Sequence, residues 1–170
     1  CKTFINQLEF SKSINNFNIL KINLTNSLAS SNGNNYLGIA EINRTSITGS
    51  FKLNNPKYRL KHLLTTSLLF DKKYLSPFTF SYSLKREFHN HFNLYFNAGK
   101  VYRFPTINDL FWNPGGNLNL VPEQGYTGDI GIIWNKKIHK VIFSFEPSLY
   151  SRWIDNWILW QPTGSFWSPM

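Results

Sequence analysis

The sequence predicts an all-β, antiparallel fold whose strands span a membrane as a β-barrel. Three observations support this. Apolar and polar residues alternate in segments of about nine to eleven residues, the length that a tilted strand needs to cross a bilayer. Short and long connections between these segments follow one another in strict order. Aromatic residues, 17% of the chain, lie near the ends of the apolar runs, as in the interfacial girdles of membrane barrels.

Four segments alternate cleanly between large apolar side chains and polar or small ones: Thr45–Leu53, Phe78–Lys85, Phe92–Gly99 and Val141–Leu149. Successive side chains of a strand point to opposite faces. We therefore assign the apolar set of each segment to lipid and the polar set to the interior of the barrel. Phe80, Phe96 and Phe143 test this assignment, because a soluble sheet would bury them beneath a second layer.

Four other segments alternate less regularly. The segments 58–70 and 126–134 contain exceptions such as His62 and Ile133, which lie on the wrong parity. The N-terminal segments, Thr3–Phe10 and Ile14–Leu24, alternate only in part. With these segments included, the sequence predicts eight consecutive strands.

The connections between the predicted strands alternate in length without exception. The short ones are Ser11–Ser13, Asn54–Lys57, Glu87–Asn90 and Asn135–Lys137. The long ones are Thr25–Gly38, Asp71–Pro77, Arg103–Pro122 and the chain from Leu159 onward. Outer-membrane barrels have short periplasmic turns and longer extracellular loops, whereas a soluble sandwich or lipocalin has no reason to sort its connections in this way.

Composition excludes several other classes. The net charge of +9 does not predict a nucleic-acid-binding protein, because Lys and Arg are scattered and form no cluster longer than a pair. A single Cys rules out an internal disulfide, and the four His residues give no zinc-type spacing. No apolar run approaches the ~20 residues of a membrane helix, so any membrane crossing must be made by strands.

No group of residues points to catalysis or to a bound cofactor. Asp109, Glu123 and Asp129 are separated by loop and turn, and Gly115-Gly116 lies between strands rather than before a helix that would hold a phosphate. His89 and His91 bracket Asn90 in a short turn, where a solvated or interfacial turn is favoured over a one-sided metal site. We expect no enzyme, no metal and no cofactor.

The chain ends predict a fragment. Cys1 stands where an initiator Met would be, and Ser168–Met170 falls within a turn-like stretch. A mature lipoprotein also begins with Cys, but a polar tether would then follow, and Thr3–Phe10 already resembles a strand. The absence of a signal peptide carries no information about export in a fragment.

One stretch, Val101–Glu123, contains the most distinctive motif of the chain. Proline and glycine interrupt it at Pro105, Pro114, Gly115 and Pro122, so the sequence predicts a long structured loop through which no strand or helix interior passes. YRFPTINDLFWNPGGNLNLVPE, followed by GYTGDIGI, resembles the (F/Y)RxPTxNDL(Y/F)W and GGNxxLxPE segments of TonB-dependent outer-membrane receptors. The later WIDNWILWQPTGSFWSP is similar to an extracellular segment of vitamin-B12-receptor-like members of that family.

This resemblance implies a receptor in the outer membrane of a Gram-negative bacterium. Residues 1–170 would form part of a barrel of roughly 22 strands with a plugged lumen, and the plug, with its TonB box, would lie outside this chain. The intact protein would capture a scarce nutrient, such as a metal chelate or a corrinoid, and import it with TonB-coupled energy. A passive porin or adhesin-like barrel and a soluble all-β binding module are the alternatives.

The long loops contain the residues that we predict to contact ligand: Arg103, Asn108, Asp109, Trp112, Asn117, Trp157, Trp160 and Gln161. The competing interpretation is structural. It holds that Pro105–Leu110 packs the loop onto the rim, that Arg103 pairs with Asp109, and that the Trp side chains anchor at the interface. For Asp155 and Asn156, a turn cap is favoured over a contribution to a cation site.

Overall fold

A computed structural model describes residues 1–36, 38–72, 74–89 and 91–170, and it consists mainly of one antiparallel sheet. Its elements in chain order are β1 (Lys2–Ser13), β2 (Ile19–Ser31), β3 (Ala40–Asn55), β4 (Leu60–Asp71), β5 (Thr79–His89), β6 (Phe92–Arg103), α1 (Ile107–Phe111), β7 (Glu123–Ile138), β8 (Val141–Phe145), β9 (Ser148–Asp155), β10 (Trp160–Pro162) and β11 (Trp167–Pro169). Within the described part of the chain, no helix is long and apolar enough to cross a bilayer.

The sheet confirms the prediction of eight consecutive antiparallel strands. Each strand from β1 to β7 pairs with its neighbour in sequence. β8 and β9 both pair with β7 in one continuous register, from Ile138↔Val141 to Gln124↔Asp155, and together they form the eighth strand. They are separated at Pro147, which has no N–H to donate to the ladder.

The two faces of the sheet differ in polarity as predicted. Directly paired residues share a face, and Phe96 lies between Leu84 on β5 and Ile130 on β7. Phe80, Phe96 and Phe143 are 41%, 37% and 48% exposed, so no second layer of the described chain covers them. The opposite face carries pairs such as Asn97↔Asp129 and Arg103↔Glu123.

The sheet has two open edges. Among the described residues, β1 pairs only with β2, and the eighth strand pairs only with β7. Every residue of β1 is exposed. Unpaired strand edges cannot remain in lipid, because each free N–H and C=O there lacks a hydrogen-bond partner. In lipid, both edges of the sheet would therefore need hydrogen-bond partners.

Short and long connections alternate as predicted, but three of the predicted connections are wrong by several residues. The predicted connection Thr25–Gly38 begins too early, because β2 continues to Ser31 in register with β3. The first turn lies at 14–18 rather than Ser11–Ser13, because the Asn15 side chain accepts hydrogen bonds from the N–H groups of Phe17 and Asn18, both at 2.9 Å. The predicted strand beginning at Ile14 is wrong for the same reason.

The predicted turn at Asn135–Lys137 is also wrong. These residues continue β7, and the chain reverses at His139, whose φ is 56°. Asn54–Lys57 is displaced slightly, with the turn at 56–59. Leu37, Lys73 and Asn90, each part of a predicted connection, lie outside the described residues, and so does the centre of the predicted His89–His91 turn.

Candidate functional site at the long-loop end

The loop between β6 and β7 contains a short helix, which corrects the prediction that no helix passes through this stretch. α1 begins with a capping box, in which the N–H of Asp109 donates to Thr106 Oγ1 at 3.2 Å and the N–H of Thr106 donates to Asp109 Oδ2 at 2.8 Å. The Pro-Gly-Gly segment, residues 114–116, starts only after α1 has ended at Phe111. The Thr-x-x-Asp spacing is the signal that predicts such a helix start.

Arg103 and Glu123 close the base of this loop. They are directly paired at the ends of β6 and β7. The guanidinium donates two hydrogen bonds to the carboxylate, Nε to Oε2 at 2.6 Å and Nη2 to Oε1 at 2.8 Å. Bidentate pairs of this kind are among the strongest polar contacts in proteins. Arg103 Nη1 also lies 3.5 Å from Asp109 Oδ2, so one arginine joins both strand ends to α1.

The carboxylates of Asp109 and Glu123 also hold residues 156–170, which follow β9 and which we call the last connection. Trp160 Nε1 donates to Asp109 Oδ1 at 2.9 Å, and the N–H of Ile158 donates to Glu123 Oε1 at 2.8 Å. Asp109 and Glu123 are only 5% and 9% exposed. We call Arg103, Asp109, Glu123 and Trp160 the loop-anchoring cluster.

Residues outside this cluster add further contacts between the two loops. Ser168 Oγ donates to the Gly115 carbonyl at 2.7 Å, and Asn117 Nδ2 donates to the Pro169 carbonyl at 3.3 Å. Pro169 is among the most completely buried residues of the chain. The short hairpin of β10 and β11 is thereby packed against the Pro-Gly-Gly segment.

The connection between β2 and β3 joins the same assembly. Tyr36 donates its hydroxyl hydrogen to Asn108 Oδ1 at 2.7 Å, and its ring meets Trp112 edge to face at 5.6 Å between centroids. The N–H of Asn113 donates to the carbonyl of Asn35 at 2.9 Å. The β6–β7 loop therefore contacts two other connections that are far from it in sequence.

The β6–β7 loop crosses the polar face of the sheet on its way to Tyr36. Arg44, which pairs with Asp71 at 2.8 Å on that face, places its guanidinium 5.0 Å from the centre of the Phe104 ring and donates to the Pro105 carbonyl. Phe104 and Pro105 are buried there. In a closed barrel, the loop would therefore lie over the lumen rather than project outward.

A cavity of about 390 Å³ opens beside the loop-anchoring cluster. It is lined by Val101, Tyr102, Arg103, Glu123, Arg152, Ile154 and Trp157. Trp157 is 56% exposed. The cavity therefore combines two guanidinium groups with an accessible indole, a combination suited to a ligand that has both polar groups and flat apolar surface.

The predicted ligand-contacting residues fall into two groups. Six have side-chain contacts with other parts of the loops: Arg103, Asn108, Asp109, Trp112, Asn117 and Trp160. Trp157 and Gln161 are exposed. Sequence reasoning missed the roles of Glu123, Thr106 and Tyr36. Glu123 could have been found by pairing the two loop ends, whereas nothing in the sequence signals Tyr36.

The two residues considered for a cation site lie at the end of the eighth strand. Asp155 is the last residue of β9 and pairs with Gln124. Asn156 follows with a φ of 53°, the left-handed conformation that Asn tolerates at turns. This position fits the predicted turn role.

The pKa of the Asp109 carboxyl indicates how the long-loop end of the sheet responds to acid. Burial alone would raise its pKa, but hydrogen bonds from Thr106 and Trp160 and the nearby Arg103 charge outweigh burial and hold the pKa below its ordinary value. Because the pKa of Asp109 is lower in the folded state than in the unfolded state, where it is ~3.9, the ionised carboxylate stabilises the fold at pH values above ~3.9. This stabilisation is lost as the pH falls through the folded-state pKa.

We therefore expect residues 104–122 of the intact protein to lose protection from hydrogen exchange as pH falls from 6 to 3, after correction for intrinsic rates. Asp109→Asn, which cannot titrate, should reduce this pH dependence. Asp109→Asn with Glu123→Gln should remove it, because hydrogen bonds from Arg103 also hold the pKa of Glu123 below its ordinary value. A wild-type loop whose corrected exchange is constant over this range would contradict the assignment.

Comparison with known proteins agrees with this architecture. Residues 42–169 match the family described as "TonB dependent receptor-like, beta-barrel". Over 75 residues the chain is 33% identical to the vitamin B12 transporter BtuB of Vibrio vulnificus, and over 66 residues it is 35% identical to the vitamin B12 transporter BtuB of Photobacterium profundum. These matches cover 43% and 39% of this chain but only 12% and 10% of the relatives' lengths. The family match covers most of the chain and agrees with the strand-rich antiparallel sheet, so this chain belongs to the TonB-dependent receptor β-barrel family.

Proposed function

We propose that the intact protein is an outer-membrane receptor that captures a scarce nutrient at its long-loop end and imports it with TonB-coupled energy. Family members are receptors and transporters of Gram-negative outer membranes rather than enzymes. The observation that carries the proposal is the cavity beside the loop-anchoring cluster, which lies on the polar face next to the interlinked long loops. The plug and the TonB-contacting segment would come from parts of the receptor outside this chain.

A corrinoid is the first nutrient to test, because the two curated relatives are vitamin B12 transporters. A corrinoid has a broad ring with apolar surface and polar amides at its edge. The Trp157 indole and the guanidinium of Arg152 line the same cavity and suit these two features. A metal chelate with anionic groups is the second candidate.

The test is equilibrium binding of radiolabelled cyanocobalamin to the intact receptor, with a ferric chelate measured in parallel. We expect Trp157→Ala to weaken cyanocobalamin binding roughly tenfold, as loss of an exposed aromatic contact does in binding sites. Trp134→Ala is the matched control, because Trp134 pairs with Phe145 on the apolar face, away from the cavity.

Three outcomes would count against the proposal. Equal affinity in the two Trp variants would remove the cavity from the binding site. Binding of the ferric chelate alone would replace the corrinoid with the second candidate. Uptake that persists in a strain lacking TonB would support the passive-channel alternative.

A further inference from the structure

The charge of the chain is concentrated at the end of the sheet that carries the short turns. Segments 9–21, 52–61, 85–91 and 136–146 surround these turns and contain eleven of the 18 Lys and Arg residues but only three of the nine Asp and Glu residues. This end therefore carries +8 of the net +9 charge. The rest of the chain, with the long loops, is nearly neutral.

Few of these basic groups are neutralised by acidic side chains. Glu9 pairs with Lys21 at 3.0 Å, and Glu87 pairs with Lys61 at 2.6 Å. The third carboxylate, Glu146, accepts a hydrogen bond from Ser144 at 3.2 Å. Most of the positive charge at this end is therefore available to an anionic partner.

Part of this charge lies at the border of the apolar face. Lys12, Arg86 and Lys136 continue the parity of the lipid-facing residues, and we call these three the basic collar. Lys136 is paired with Phe143, which is 48% exposed, and the Arg86 guanidinium lies 4.6 Å from the centre of the exposed Phe88 ring. Aromatic and basic side chains occur together at the level of lipid headgroups.

We propose that the basic collar binds anionic phospholipid headgroups of the leaflet that contains the short turns. This inference rests on the proposed membrane-spanning function. A soluble acidic protein would meet the polar face or the turns, whereas the collar is continuous with side chains that contact acyl chains. The three residues lie on different strands, so each would contact a separate headgroup, where one positive charge favours an anionic over a neutral lipid by roughly fivefold.

The test uses the intact receptor in phosphatidylcholine vesicles containing a trace of spin-labelled phosphatidylglycerol or spin-labelled phosphatidylcholine. The measurement is the relative association constant of the two labelled lipids at the protein surface. We expect a preference of roughly fivefold for phosphatidylglycerol, which decreases in 1 M salt because exposed charges are screened. Heat-dependent migration on a gel shows separately whether the receptor has inserted.

A matched pair of triple variants tests the face. The collar variant combines Lys12→Gln, Arg86→Gln and Lys136→Gln. It should reduce the preference for phosphatidylglycerol to near one. The control variant combines Lys52→Gln, Lys85→Gln and Lys137→Gln. It removes the same charge from the same end of the sheet but from the polar face, and it should keep the preference for phosphatidylglycerol.

Four outcomes separate the possibilities. Equal loss of the lipid preference in both triple variants would contradict the proposal, because net charge alone would then explain the preference. An inserted wild-type receptor without lipid preference would overturn it outright. Binding of polyglutamate to the detergent-solubilised receptor, lost in the collar variant and without any lipid preference, would assign the collar to an acidic protein. Failure of the wild type to insert would instead contradict the membrane-spanning proposal.

Discussion

Glu123→Ala is expected to free two connections of the protein at once. The carboxylate accepts both hydrogen bonds from Arg103 and one from the N–H of Ile158. Its removal leaves a guanidinium without its main partner and a buried N–H without an acceptor, because Ile158 is only 7% exposed. The Arg103 side chain is 44% exposed, so loss of the ion pair costs only about 1 kcal/mol, and the unsatisfied Ile158 N–H adds about 1–3 kcal/mol. Segments 104–122 and 156–170 should therefore become sensitive to limited proteolysis.

Two further variants separate the causes. Glu123→Gln keeps an oxygen that can accept from Ile158 but loses the charge, so the β6–β7 loop should loosen more than the last connection. Glu146→Ala removes an exposed carboxylate at the short-turn end and should leave both segments resistant. If Glu123→Ala is cleaved no faster than Glu146→Ala, the loop-anchoring cluster does not hold these loops.

Gly115→Ala is expected to detach the β10–β11 hairpin from the loop. Gly115 has a φ of 121°, which an alanine adopts only with strain, and a Cβ built there would collide with the Trp167 carbonyl oxygen. Backbone strain of about 1–2 kcal/mol and overpacking of about 1–3 kcal/mol act together. The measurement is hydrogen exchange of residues 160–169, whose protection should fall by about two orders of magnitude.

Gly164→Ala is the control for this substitution. Gly164 also has a positive φ, of 81°, but a Cβ there would meet nothing within 4 Å. It should show only the smaller effect of strain at its own turn. Equal loss of protection in the two variants would show that strain alone, rather than contact with Trp167, determines the behaviour at Gly115.

The strands could be predicted from the sequence because a two-residue period determines which face each side chain occupies. Exposed Phe80 and Phe96 follow directly from that period. The exact positions of the turns were predicted less accurately than the strands, because turn-forming residues also occur inside strands. Asn135 resembles a turn residue, yet it pairs with Ser144, and the chain reverses only after Ile138.

The site was predictable in part for a similar reason. Arg103 and Asp109 lie in one motif, and their proximity was expected from sequence. Glu123 becomes the central acceptor only when the β6–β7 register brings it opposite Arg103. The contact between Tyr36 and Asn108 depends on a loop crossing other strands, and no local pattern encodes a contact between residues 72 positions apart.

The links among three connections have a kinetic consequence. The β2–β3 connection, the β6–β7 loop and the last connection are joined by hydrogen bonds around Asn108, Asp109 and Glu123, so none can swing aside without disturbing another. In the proposed receptor, passage of a nutrient past them would require one collective displacement with a single activation barrier. Weakening any link should then speed both entry and escape, even where equilibrium affinity hardly changes.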